Sequence, residues 1–96
     1  MTKVYQVVVY HEISNQEKLA AYAELAGPAM KKAGATFLAR GIPYLVREDG
    51  VASRTVLIEW PSRHAADEGY NSDSYQEAIR VLDGAAKREF RYMDAL

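Results

Sequence analysis

The sequence contains no cysteine, which excludes disulfide scaffolds, thiolate metal sites and cysteine nucleophiles. Proline and glycine are sparse, at three and six residues. With no low-complexity tract and no long apolar run, collagen, disorder and a transmembrane span are excluded. Neither sign of charge dominates. Twelve basic residues against thirteen acidic give a net charge of −1, too little to create a global field toward nucleic acid or an anionic membrane. At 96 residues there is room for one domain, residues 1–96, with a thin core.

What is present is the composition of an ordinary soluble globule, 49% hydrophobic and 26% charged. Seven of the ten aromatic residues are tyrosine, so most aromatic volume carries a hydroxyl that needs a partner wherever it is buried. Met1-Thr2-Lys3-Val4 leads into a strand-like segment with neither a basic n-region nor a small-residue cleavage site, and the expectation is a cytoplasmic protein.

Periodicity supplies the elements. Val4 to His11, rich in β-branched and aromatic residues, predicts a first strand without a clean polar face. Ser14 and Glu17 fit a capping box. Leu19, Tyr22, Ala23, Ala26, Met30 and Ala33 then recur at helical spacing, with a kink or restart expected at Pro28 and an end at Gly34. Phe37 to Arg40 resumes the strand pattern, continued by Tyr44-Leu45-Val46, and Asp49-Gly50 signals a tight type I′ hairpin into a third strand, Thr55 to Trp60. Ser62 can cap a short helix through Ala65 and Ala66. A second helix begins near Ser72, with Tyr75, Ala78, Ile79 and Leu82 on its buried face, and Asp83-Gly84 closes it. Glu89 to Met93 predicts a last strand, with Phe90 and Tyr92 on one side.

The order β-α-β-β-α-β is the split βαβ of an α+β, ferredoxin-like fold, a four-stranded antiparallel sheet with helices on one face. Val7-Val8-Val9 and Val56-Leu57-Ile58 are apolar on both sides of that sheet. An apolar face in water is avoided by soluble proteins, so the expected partner is a second copy, sheet to sheet, in an isologous homodimer.

Three segments carry a family resemblance: Ala33 to Gly41, Arg54 to Ser62 (with its Ile-Glu-Trp-Pro-Ser strand end) and Tyr70 to Gln76 (Tyr-Asn-Ser-Asp-Ser-Tyr-Gln). Together they resemble domain-of-unknown-function family 1330 over nearly the whole chain. The resemblance implies a protomer of the dimeric α+β barrel superfamily and supplies no activity. The chain departs from the family pattern where Ile42-Pro43 follows Arg40-Gly41 in place of a second glycine.

Pairing outward from the Asp49-Gly50 hairpin sets Glu48 against Val51, Leu45 against Arg54 and Arg40 against Glu59. Directly opposed residues share a side. One face then holds Leu38, Arg40, Ile42, Tyr44, Thr55, Leu57 and Glu59, turned to the partner or a cavity. The other holds Phe37, Ala39, Val56, Ile58 and Trp60, packed on the helices. A bulge at Gly41-Ile42-Pro43 would break the pairing. The Arg40–Glu59 pair has two readings: a structural ion pair fixing register or dimer geometry, or a site in which Arg40 anchors an oxyanion and Glu59 is the candidate catalytic acid/base. Tyr10 and Tyr44 can line the same face as ligand-binding residues. Arg54 stands at its mouth, read as solvated, while Tyr22 and Tyr75 read as core.

His11 and His64 lack the companions of a metal site. His64 has Asp67 and Glu68 at helical spacing, but no third histidine or cysteine completes a set, so no metal and no cofactor are expected. Lys31-Lys32 and Lys87-Arg88 are basic pairs on solvated surface, without the stripe a nucleic acid needs. No phosphate loop, nucleotide fingerprint, nucleophile elbow or zinc-protease motif is present.

Three classes of function follow: a small-molecule-binding protein, a structural or protein-interaction module, or a cofactor-independent enzyme resembling by fold analogy the superfamily's oxygenases, isomerases and cyclases. A cavity of roughly 300 Å³ or more favours the ligand readings.

Overall fold

The computed structural model describes residues 2–96. The elements are β1 (Val4–Ile13), α1 (Gln16–Lys32), β2 (Thr36–Gly41), β3 (Thr55–Trp60), α2 (Arg63–Asn71), α3 (Asp73–Leu82) and β4 (Ala86–Asp94). The four strands form one antiparallel sheet in the order β2-β3-β1-β4. This is the ferredoxin-like arrangement that the order of elements predicts, with the second helical segment divided in two.

Alternation along the central strands decides which side is core. Val4, Gln6, Val8 and Tyr10 of β1 and Val56, Ile58 and Trp60 of β3 are buried. They join Leu19, Tyr22, Ala26 and Met30 of α1 and Tyr75, Ala78 and Leu82 of α3 in one apolar cluster. Tyr5, Val7, Val9 and Leu57, between them, are only half-buried on the opposite face. No helix among the described residues is long and apolar enough to cross a membrane.

Helix ends follow short polar side chains. Ser62 Oγ accepts from Ala65 N at 3.1 Å, as the sequence predicts, and Ser72 Oγ accepts from Tyr75 N at 3.3 Å. The first helix starts one residue later than a Ser14 capping box requires. Asn15 Oδ1 accepts from Lys18 N at 3.0 Å, a cap as good as serine. Ser14 turns away, its Oγ donating to the Ala85 carbonyl at 3.1 Å. Pro28 lies inside α1, which neither stops nor restarts there. The acceptor it deprives is the Glu24 carbonyl, and both residues are exposed, so water can serve that carbonyl.

The β2–β3 hairpin corrects the predicted register. Thr36 stands opposite Glu59 and Phe37 opposite Ile58. Ala39 then meets Leu57, Arg40 meets Val56 and Gly41 meets Thr55, with an irregularity between Phe37 and Ala39. Leu38 is therefore the bulged residue, not the Gly41-Ile42-Pro43 stretch. Residues 42–54 form a loop without strand pairing, so neither the Leu45–Arg54 nor the Glu48–Val51 pair forms. Pro43 has no N–H to give a ladder, and the turn falls one residue early. Gly50 N donates to Arg47 O at 3.1 Å, with Glu48 at φ 56°. The last strand also begins earlier than predicted, at Ala86.

Candidate functional site

Arg40 owes its position to the bulge. Its opposite residue, Val56, faces the helices, and opposed residues share a side. Arg40 therefore lines the space between α1 and the sheet, on the helix face rather than the outer one. Glu59 stays on the outer face, where Lys3 Nζ approaches its carboxylate at 3.3 Å. The predicted Arg40–Glu59 pair does not exist. Tyr44 is 99% exposed on the loop and takes no part in the site.

The space that receives Arg40 is a cavity of about 50 Å³. Strand register orders its walls. One end has Tyr10 with Arg88 opposite it on β4 and Arg54 beside it, bonded through Tyr10 N and the Arg54 carbonyl at 3.0 Å. The next row holds Val8, Val56, Arg40 and Phe90, and the far row Gln6, Ile58 and Phe37. Ala26 and Met30 of α1 close it from above. Three of the sequence-predicted residues, Tyr10, Arg40 and Arg54, thus meet in one cavity, whereas Tyr44 and Glu59 do not.

Two readings of solvated arginines are corrected here. Arg54 is half-buried, its guanidinium carbon 5.5 Å from the centre of the Tyr10 ring. Arg88 is half-buried among three rings, at 4.4 Å from Tyr22, 4.7 Å from Phe90 and 5.7 Å from Tyr10. Its Nη1 donates to the Tyr10 hydroxyl at 3.3 Å. The missed signal for Arg88 is strand alternation: it lies two residues before Phe90 and four before Tyr92, so it shares their side.

The electrostatics are one-sided. No Asp or Glu lines the cavity, and among the described residues Arg40, Arg54 and Arg88 enter no ion pair. Two unit charges about 10 Å apart repel by about 2 kcal/mol at an effective dielectric near 20. Burial works against the Arg88 charge, but the phenol groups of Tyr22, Tyr75 and Tyr10 outweigh it and hold its pKa above the ordinary value.

Tyr22 Oη and Tyr75 Oη are 2.7 Å apart in the core. Burial raises the Tyr22 pKa against the pull of Arg88, and burial, then Tyr22, raises that of Tyr75. Both therefore stay protonated at any ordinary pH, one hydroxyl donating to the other.

Two buried polar atoms among the described residues lack a partner, Gln6 Nε2 and Arg54 Nε, and both residues line this cavity. Trp60 Nε1 donates to Gln6 Oε1 at 2.8 Å. Because an indole nitrogen only donates, it fixes which end of the Gln6 amide is oxygen and leaves the NH2 as the unpaired end.

Outside the shared wall of Arg88 and Phe90 lies an open groove of about 730 Å³ bounded by His11, Asp67, Tyr70 and Tyr92. The enclosed cavity is well below the ~300 Å³ of an ordinary ligand pocket, and the groove is above it. His64 sits on the α2 surface, paired with Glu68 at 2.8 Å.

Sheet order, helix placement and the cavity between them define the class: a ferredoxin-like α+β protein. The family model for a domain of unknown function, DUF1330, matches residues 3–96, and the chain belongs to that family. Comparison with curated proteins gives no match. Among solved structures, a protein of unknown function from Rhodopseudomonas palustris superposes with a TM-score of 0.76 at 18% identity, covering 99% of this chain and 83% of that one. A dimeric ferredoxin-like protein of unknown function from Jannaschia sp. CCS1 gives 0.77 at 11%, covering 97% and 99%. SnoaB, a cofactor-independent oxygenase from Streptomyces nogalater, gives 0.61 at 13%, covering 99% and 92%. At these identities the likeness is one of fold.

Proposed function

We propose that the protein is a homodimeric small-molecule-binding protein whose ligand enters the cavity between α1 and the sheet, with no reaction assigned. The observation that carries this reading is a pair of partnerless buried donors, Gln6 Nε2 and Arg54 Nε, on residues that both line one cavity. A buried donor without an acceptor costs about 1–3 kcal/mol, a cost that a bound acceptor removes. Dimerisation is supported by the apolar residues of the outer sheet face, Val7, Val9 and Leu57, and by the dimeric Jannaschia neighbour.

The enzymatic alternative is favoured by the likeness to a cofactor-independent oxygenase. In this chain it would use arginine to hold an oxyanion, with the Tyr10 or Tyr22 hydroxyl as proton donor. Glu59 lies on the wrong face to serve as its base.

The test is titration of isotope-labelled protein with a library of small acids, amides, alcohols and ketones, following backbone amide shifts along β1 and α1. Binding should move Tyr10, Ala23 and Ala26, and Ala26→Leu, which fills the cavity, should abolish the response while the fold persists. A library that moves none of these amides overturns the assignment.

A further inference from the structure

We propose that the group held in this cavity is a carboxylate on a short hydrocarbon body, an inference that rests on the small-molecule reading above. The polar groups on its walls are donors awaiting an acceptor. Arg54 Nε and Gln6 Nε2 have no partner, and neither group can turn an acceptor toward the cavity: a guanidinium has none, and the Gln6 oxygen is taken by Trp60. The Tyr10 hydroxyl accepts from Arg88, which leaves its own proton to give. Arg40 and Arg88 add two further guanidinium groups, and no acidic side chain lines the space to neutralise them.

A carboxylate is acceptor-only, and its two oxygens match a guanidinium fork. A carboxamide would turn its own NH2 donors toward arginine donors. Phosphate brings oxygens on every side, yet the wall next to the arginines is Val8, Ala26, Val56 and Phe90, which offers no donor to an oxygen placed against it. A volume of about 50 Å³ has room for about three or four waters. That limits the enclosed part to about four or five non-hydrogen atoms, the size of acetate or propionate. The charge therefore sits at the Tyr10 end among the arginines, with Arg54 Nε as its partnerless donor, and the short carbon chain lies against Val8, Val56 and Phe90, short of the row that holds Gln6 and Ile58.

The experiment is a titration of the full chain with sodium propionate, propionamide and inorganic phosphate at matched ionic strength, read by the Trp60 indole N–H and the Arg54 side-chain N–H resonances. Propionate should bind at least about tenfold more tightly than propionamide. Arg54→Gln should weaken propionate by at least about tenfold and leave propionamide unchanged. Arg54 contributes to the ladder through its backbone carbonyl, so that variant keeps the sheet, and the exposed Arg40→Gln provides a second, milder loss. Propionamide binding as tightly as propionate overturns the carboxylate and leaves the ligand site standing, and tighter binding of phosphate does the same. If neither the three probes nor the library of acids, amides, alcohols and ketones shifts the cavity resonances, the site reading itself falls.

Discussion

Tyr22 on α1 and Tyr75 on α3 join hydroxyl to hydroxyl at 2.7 Å, with their rings edge to face at 74°. This is a polar link between two helices inside an otherwise apolar layer. Tyr75→Phe leaves the Tyr22 hydroxyl without that partner in the core, and the expected loss is about 1–3 kcal/mol by chemical denaturation. Removing both hydroxyls should cost less than the sum of the two single losses. Additive losses would show that the pair is not coupled.

The same rings set an alkaline limit. Tyr22, Tyr75 and Tyr92 all have raised pKa values, each chiefly through burial, with Tyr92 pushed up to about 12. Unfolded tyrosine ionises near pH 10. The folded state holds these protons longer, so the stabilisation is intact below pH ~10 and is lost as pH rises above it. In an ultraviolet absorbance titration, Tyr22 and Tyr75 should ionise only with loss of the circular dichroism signal.

Gly69 packs directly under the Trp60 indole. A Cβ built there lies 2.8 Å from Cζ3 and closer still to Cη2, inside any real contact. Trp60 is 1% exposed and has nowhere to retreat. Gly69→Ala should destabilise the protein by about 1–3 kcal/mol, seen as a lower Tm. Adding Trp60→Phe, which removes the offending ring, should make the glycine substitution nearly neutral against that background.

Glu59→Gln separates the two faces of the sheet. Glu59 meets Lys3 and not Arg40, so ligand affinity in the cavity should change by less than about twofold. A tenfold loss in a folded protein would return Glu59 to the site.

The proposed dimer uses the outer face of the sheet. Val7 stands opposite Leu57 at its centre, and Val7→Glu should convert a dimer to a monomer by light scattering at micromolar concentration. A monomeric mass for the unsubstituted protein would remove the dimer altogether.

Legibility divided along physical lines. The Ser62 cap, the stop at Gly34 and strands β1 and β3 are decided by neighbours within a few residues, and all could be read directly. Register between β2 and β3 is decided elsewhere. Burying Phe37 opposite Ile58 while skipping Leu38 depends on the helix layer above, which no hairpin signal contains. Tyr10, Arg40 and Arg54 could therefore be picked out as candidates, and they line one cavity, while the side of the sheet that Arg40 occupies could not be read. Arg88 was within reach of simple alternation from Phe90 and Tyr92. It was obscured because a Lys-Arg pair looks solvated when the strand is begun three residues late.

Leu38 also has a bearing on inheritance. One supernumerary residue in β2 exchanges the inward and outward identities of everything between it and the loop, so Arg40 belongs to the cavity only while that residue is present. In relatives, a change of length at this spot would recast recognition more abruptly than a change of side chain. It would carry the arginine to the outer face of the sheet, with every other residue of the strand unaltered.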